Sequence, residues 1–233
     1  MIPKTIHYCW FGNGEKGELI DRCIASWREH MPEYEIIEWN EKNFDIDKYE
    51  YTRNVYSQKK WAFVADYARL VILRKHGGMY LDTDMFVLKS FDDFLNNELV
   101  LGKEDNVHIS AGMVAAAPRN VFIGKCLEYY NANTKTLITI PRVLTQVYNG
   151  SKNILTNVKV FEAKYFYPYT ADNIKDFNYK NAPSESYAVH MWNYSWGHPA
   201  IKIIKKLGIH RVVVHILDKL KIKNLIKKIL GTA

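Results

Sequence analysis

Cysteine is scarce in this chain. Cys9, Cys23 and Cys126 are the only three in 233 residues, and their spacing suits neither a zinc site nor an even disulfide framework. They read as ordinary thiols of a reducing compartment. No apolar run approaches the roughly 20 residues that a membrane-spanning helix needs. The opening Met1-Ile2-Pro3-Lys4 lacks the charged and apolar blocks of a secretory signal, so the expected location is the cytoplasm. No repeat, low-complexity tract or linker interrupts the chain before residue 197. The body also lacks positive charge. Ala200 to Ala233 holds nine Lys or Arg and one acid, Asp218, which makes that segment +8. The whole chain is +7, so residues 1–199 sum to about −1. A nucleic-acid-binding body is excluded, and the basic character is local to the tail.

What is present suits one enzyme-sized domain. The length allows a substantial core, and an apolar share of 48% excludes disorder as the default state. Thr5 to Phe11 reads as a buried strand and Gly12 to Gly17 as a loop. Leu19 to His30 reads as a helix with Ile20, Cys23, Ile24 and Trp27 on one face, and Tyr34 to Trp39 alternates like a strand. Phe44 to Arg53 is irregular or a short helix. From Val55 to Lys75 apolar residues recur at helical spacing without a proline, which predicts one long helix. Gly77-Gly78 closes it, and Met79 to Leu81 begins a strand that Met85 to Leu88 extends or restarts. Phe91 to Leu95 reads as a short helical turn.

Further on, Val100-Leu101 and Met113 to Ala116 read as strands. Phe122 to Asn131 reads as a helix, and Pro141 to Tyr148 as a helix with Pro near its first position. Val158 to Ala163 and Ala188 to Trp192 look like short strands. The strand–helix–strand–helix–strand order of the first half predicts an α/β fold with ligands at the carboxyl ends of strands.

Asp66 and Arg69 stand three apart on the long helix and share a face. Asp82 and Asp84 follow the glycines, and residues two apart on a strand point to the same side. Two carboxylates at that spacing suit Mn²⁺ or Mg²⁺ and leave positions open for phosphate oxygens. Such an ion neutralises a leaving diphosphate, and Arg69 can support the same charge or orient Asp66. An isolated D-x-D on a loop, or an acid–base pair on a solvated helix face, says little alone. The helix, double glycine, Tyr80 and paired acids in this order point to a site for a metal and a diphosphate.

The segment resembles the DXD-containing sugar-binding region of glycosyltransferase family 32. That family includes bacterial capsular and lipopolysaccharide sugar transferases, fungal Golgi mannosyltransferases and, more distantly, clostridial glucosylating toxins. Its signature is an Asp, an Arg three residues on, then Gly-Gly-x-Tyr-x-Asp-x-Asp. Asp66, Arg69, Gly77, Gly78, Tyr80, Asp82 and Asp84 stand in those places. Ile2 to Gly12 resembles the family's opening strand. The resemblance covers the first half of the chain well and the second loosely.

The resemblance implies an α/β, GT-A-like nucleotide-sugar-binding fold with a mixed central sheet over residues 1–199. It implies a metal-dependent enzyme that moves a hexose or N-acetylhexosamine to a glycan or lipid-linked oligosaccharide, with retention, in capsule or lipopolysaccharide synthesis. The donor is a nucleotide sugar, UDP-linked ahead of GDP-mannose. Asp82 and Asp84 hold the metal and diphosphate, Asp66 and Arg69 act as the catalytic pair that orients the donor, and Trp10 stacks on the base. A C-terminal His or Trp motif closes the site in such enzymes. His190 is then a metal ligand, or else a satisfied core histidine, and Ser195 or Trp196 hydrogen-bonds a β-phosphate. Ser110-Ala111-Gly112-Met113 lies where the family places residues near the donor and acceptor, or is a simple turn. Thr139-Ile140-Pro141 lacks the glycine of the family's Thr-Gly-Pro, which leaves its role open.

Residues 200–233 alternate Ile, Leu and Val with lysines at helical spacing. Such a segment lies on an anionic membrane surface, here the inner face of the cell membrane, or packs on the domain as a terminal helix. Two alternatives stand beside the transferase. One is a phosphatase with the first Asp of D-x-D as nucleophile, although Met85-Phe86 follows where such enzymes carry Thr or Val. The other is a non-catalytic membrane-bound scaffold.

Overall fold

The structure is a computed structural model that describes residues 1–193. Residues Met1–Trp192 form one compact unit. Ser195, Trp196 and the basic segment 200–233 lie outside the described residues.

Strand β1 (Thr5–Cys9) is buried along nearly its whole length, as a central strand covered on both faces must be. It pairs in parallel with β2 (Glu35–Trp39) on one side and β3 (Gly78–Leu81) on the other. β3 pairs antiparallel with β6 (Ile109–Ala116), and β6 antiparallel with β5 (Leu99–Lys103). β5 pairs in parallel with β7 (Val158–Phe161). The resulting six-stranded mixed sheet has the order β2-β1-β3-β6-β5-β7. A separate ribbon joins β4 (Met85–Val87) antiparallel to β8 (Ala188–His190).

Helices α2 (Glu50–Ser57), α3 (Trp61–His76), α4 (Val121–Asn131) and α5 (Ile140–Ser151) share one core around Tyr51, Tyr67, Leu70, Tyr130 and Val143. The second core holds Ile6, Trp27, Leu81, Met85, Phe91 and Phe166. Helix α1 (Glu18–His30) buries the Ile20, Cys23, Ile24 and Trp27 face that its periodicity predicts. It also braces β4. The Trp27 indole donates to the Met85 carbonyl at 2.6 Å, and the Val87 N–H donates to the Ser26 hydroxyl at 2.9 Å.

Three local expectations change. The single helix from Val55 to Lys75 is two, because the polar run Gln58-Lys59-Lys60 has no apolar side chain to bury and the chain reverses there with Lys59 at φ +57°. β1 ends at Cys9, short of Phe11. Strand geometry does not persist through Asp82 and Asp84. β3 stops at Leu81, and the Met85 N–H closes a turn onto the Asp82 carbonyl at 3.0 Å. The glycine stop behaves as expected. Gly77 has φ +67° and ψ −157°, a region open essentially to glycine alone, and its N–H closes α3 onto the Leu73 carbonyl. No helix among the described residues is long and apolar enough to cross a membrane.

Candidate metal and donor site

The site forms at the carboxyl end of β3. The Asp82 N–H donates to the Gly112 carbonyl on β6 at 2.8 Å, which anchors the turn as it leaves the sheet. Beyond the turn, β4 pairs with β8 so that Met85 faces His190. The Met191 N–H then donates to the Asp84 carbonyl at 2.9 Å. This ribbon carries a residue from the far end of the described chain to the D-x-D turn. His190 Nε2 lies 3.2 Å from Asp84 Oδ1. One ligand atom from each of Asp82, Asp84 and His190 falls within 4.8 Å of the other two.

The three side chains fit a hard divalent cation. His190 presents Nε2 to the Asp84 carboxylate, and its Nδ1 is buried without a hydrogen-bond partner among the described residues. The Trp192 ring meets the imidazole edge-on at 4.4 Å and the Tyr167 ring lies 5.6 Å away, so the ring orientation is fixed. Burial works against a charge on His190, but Asp84 beside it outweighs that and raises its pKa. Asp82 keeps about a third of its side chain open to solvent.

Arg69 clamps the first carboxylate from behind. It is only 4% exposed. Its Nη1 donates to Asp82 Oδ1 at 3.1 Å and to the Ala111 carbonyl at 2.8 Å, and its Nη2 donates to Asp66 Oδ1 at 2.9 Å. The guanidinium also lies over the Tyr80 ring at 4.2 Å. Asp66 Oδ2 accepts from the Ile140 N–H at 3.3 Å. The Thr139-Ile140-Pro141 segment therefore has a role despite its missing glycine, since the start of α5 holds Asp66. Burial opposes the Arg69 charge, and Asp82, Tyr80 and Asp66 override it, so the guanidinium stays charged. Burial pushes the Asp66 carboxyl up to about 6, against the pull of Arg69. The Asp66/Arg69 pair is a buried clamp and not a solvated surface pair.

Ser110, Ala111, Gly112 and Met113 belong to β6 and form no turn. A Cβ on Gly112 would stand 2.9 Å from Tyr167 Oη, 3.2 Å from Met85 Sδ and 3.4 Å from Asp82 Oδ2, so this residue leaves the room that the carboxylate occupies. The Met113 N–H donates to Tyr167 Oη at 3.1 Å. Trp10 lies just past β1, at the same end of the sheet as Asp82 because β1 and β3 are parallel. It is half-buried, its indole donates to the Gly14 carbonyl at 2.6 Å, and the Lys16 ammonium sits 5.9 Å from its ring. The structure thus brings Asp66, Arg69, Asp82, Asp84 and His190 together, with Trp10 at the same sheet end outside the ligand cluster. Sequence reading missed Tyr167, for which the aromatic run Tyr165 to Tyr169 was the one available signal.

Comparison with known proteins agrees with this geometry. Residues 17–101 match the glycosyltransferase sugar-binding region containing the DXD motif, and residues 119–223 match the alpha 1,4-glycosyltransferase conserved region. The chain belongs to the DXD-containing glycosyltransferases. An uncharacterised glycosyltransferase of Acanthamoeba polyphaga mimivirus is 27% identical over 93% of this chain and 92% of its own length. The lactosylceramide 4-alpha-galactosyltransferase of Mus musculus is 30% identical over 56% of this chain, which spans 40% of that enzyme.

Among solved structures, the PaToxG glycosyltransferase superposes with a TM-score of 0.54 at 18% identity, over 66% of this chain and 69% of that one. The apo form of GlyE from Streptococcus pneumoniae TIGR4 gives 0.50 at 14% identity, over 96% and 64%. The expected GT-A-like mixed sheet is the fold of this glycosyltransferase. The phosphatase alternative gains no support, because both family matches are to glycosyltransferases.

Proposed function

We propose that this glycosyltransferase moves a hexose or N-acetylhexosamine from a nucleotide sugar, UDP-linked first, to a glycan or lipid-linked oligosaccharide. The observation that carries the reading is the convergence of Asp82, Asp84 and His190 beside the buried Arg69–Asp66 pair. Those three residues would hold Mn²⁺ or Mg²⁺, which when bound would supply positive charge for the donor diphosphate and the departing nucleotide. Arg69 fixes Asp82 and Asp66 fixes Arg69, so the pair sets the orientation of the donor site. Trp10 supplies a ring for the base at the neighbouring strand end. Ser195 or Trp196, both outside the described residues, is the proposed hydrogen-bond donor to the β-phosphate. The mouse relative, a galactosyltransferase named for lactosylceramide, supports a hexose donor and a glycolipid-type acceptor.

Transfer proceeds with retention. In a same-face displacement the leaving phosphate takes the acceptor proton, which needs no nucleophile from the protein. An inverted product anomer in proton NMR would contradict it. Residues 1–199 form the catalytic domain in this reading. Residues 200–233 attach it to the anionic inner face of the cell membrane, where surface polysaccharides are built on lipid carriers.

Release of UDP or GDP from nucleotide sugars tests the transferase reading. Turnover is expected with one nucleotide and is abolished by chelation. In Asp84→Ala it should fall on the order of 100-fold, the scale of losing a group that stabilises transition-state charge. Turnover indifferent to both chelator and substitution would overturn the metal site.

A further inference from the structure

Tyr167 touches both sides of the ligand set and belongs to neither. Its hydroxyl oxygen accepts from the Met113 N–H at 3.1 Å. The same peptide group turns its carbonyl, that of Gly112, to the Asp82 N–H at 2.8 Å. A trans peptide is a rigid plane, so one plane joins the phenol to the D-x-D turn. On the other side, the Tyr167 ring meets the His190 imidazole edge-on at 5.6 Å. The carbonyl of the preceding residue, Phe166, accepts from the His190 N–H at 3.2 Å. The sheet is built to receive this side chain. A Cβ on Gly102 of β5 would stand 2.9 Å from the Phe166 ring and 3.3 Å from the Tyr167 ring, and one on Gly112 of β6 would stand 2.9 Å from Tyr167 Oη. The pairing of β5 with β6 shifts register between Leu101 and Lys103, and in that irregular stretch the Met113 N–H turns to the phenol. Tyr167 is buried, so its ring and hydroxyl are held in one place.

We propose that Tyr167 is a positioning residue of the metal centre: it sets where the His190 imidazole stands relative to Asp82, and through that spacing favours an ion that takes nitrogen as well as oxygen ligands. Mn²⁺, a first-row transition ion, binds mixed nitrogen and oxygen sites, whereas Ca²⁺ takes oxygen ligands. The two carboxylates serve both ions, and the imidazole serves the first. A shift of His190 therefore changes the affinity for Mn²⁺ and leaves that for Ca²⁺ in place. The inference rests on the metal site proposed above.

Calorimetric titration of the full chain with Mn²⁺ alone and with Ca²⁺ alone tests it, in the wild type, Tyr167→Phe and Tyr167→Leu. Phenylalanine keeps a ring against His190 and removes only the hydroxyl, and leucine removes the ring as well. Groups that orient a metal ligand are worth roughly 10- to 100-fold in affinity. Tyr167→Phe is expected to weaken Mn²⁺ binding about tenfold and Tyr167→Leu to weaken it further, while Ca²⁺ affinity holds in both. Pulsed EPR of the bound Mn²⁺ reads the same position directly: nitrogen modulation from the imidazole is expected in the wild type and is weaker in both variants. Each comparison sets two ions against each other on one variant, so a folding defect, which lowers both, does not mimic the result. Variants that keep the wild-type affinity for Mn²⁺, or that lose both ions by the same factor, overturn the inference alone. A wild type that binds no Mn²⁺ overturns the metal site, and this inference with it.

Discussion

Arg69 is the residue on which the site turns. Its fork reaches two carboxylates and a carbonyl at once, a geometry that an ammonium cannot copy. Arg69→Lys is expected to lose about 3 kcal/mol in urea unfolding, the scale of leaving a buried charge unpaired, and most of the nucleotide release. A variant with wild-type midpoint and turnover would contradict the clamp. At this scale much of the site was legible. Asp66, Arg69, Asp82 and Asp84 lie within one helix and the strand after it, so their spacing alone grouped them. Tyr167 was not legible, because it reaches Gly112 and the Met113 N–H from a distant segment, a contact that no local pattern encodes. His190 came from a late loop motif, and the sequence left open whether it was a ligand or a core residue.

Among the elements, the turn between α3 and β3 sets the approach of the D-x-D segment. Gly78 has φ +91°, and a Cβ there would stand 2.6 Å from the Thr5 carbonyl oxygen of β1. Gly78→Ala is expected to cost about 2 kcal/mol or more from backbone strain alone, read as a lower melting midpoint. An unchanged midpoint would mean that β1 and β3 can part without penalty. The helices and inner strands were readable because each repeats its apolar period over several residues, as Ile20 to Trp27 does in α1. The β4–β8 ribbon was not. Each strand has three residues, too few for a period, and the pairing that puts His190 on Asp84 depends on α1 bracing β4. The α2–α3 break was hidden for a related reason: both helices are apolar on the side facing the same core, and three polar residues were too short a gap to notice.

On the scale of the whole molecule, His7 ties two strands of the sheet, β1 and β2, to the glycine cap of α3. Its Nε2 lies 3.0 Å from the Gly77 carbonyl, and its Nδ1 accepts from the Trp39 indole at 3.1 Å. That pattern assigns the neutral ring with its proton on Nε2. Burial holds its pKa down from 6.5 to about 4, against the pull of the Gly77 carbonyl. Between those two values the unfolded chain binds a proton that the folded chain refuses. The His7 contribution to stability is therefore full above about pH 6.5 and is lost as the pH drops towards 4, by about 3 kcal/mol over the window. Asp66, pushed up to about 6, acts with the opposite sign below that pH, so the test is the difference between two proteins: the wild-type urea midpoint is expected to fall relative to that of His7→Gln as the pH drops from about 6.5 to about 4. A difference that stays constant across that range would contradict the assignment.

The tail also belongs to this scale. Deleting residues 209–233 is expected to abolish flotation with anionic liposomes, and unchanged flotation would refute the membrane attachment. The α/β class and the sheet's ligand-bearing end were readable from the order of elements, whereas the antiparallel insertion of β6 was set by long-range pairing. The most direct test of the metal and donor site is a thermal-shift series with UDP, GDP and their sugar conjugates, with and without Mn²⁺. Ligand at about 100 times its dissociation constant stabilises by about 2.7 kcal/mol. The predicted result is a Mn²⁺-dependent rise with one nucleotide that disappears in Asp84→Ala. No rise with any nucleotide, or the same rise without Mn²⁺ or in the variant, would contradict the site described here.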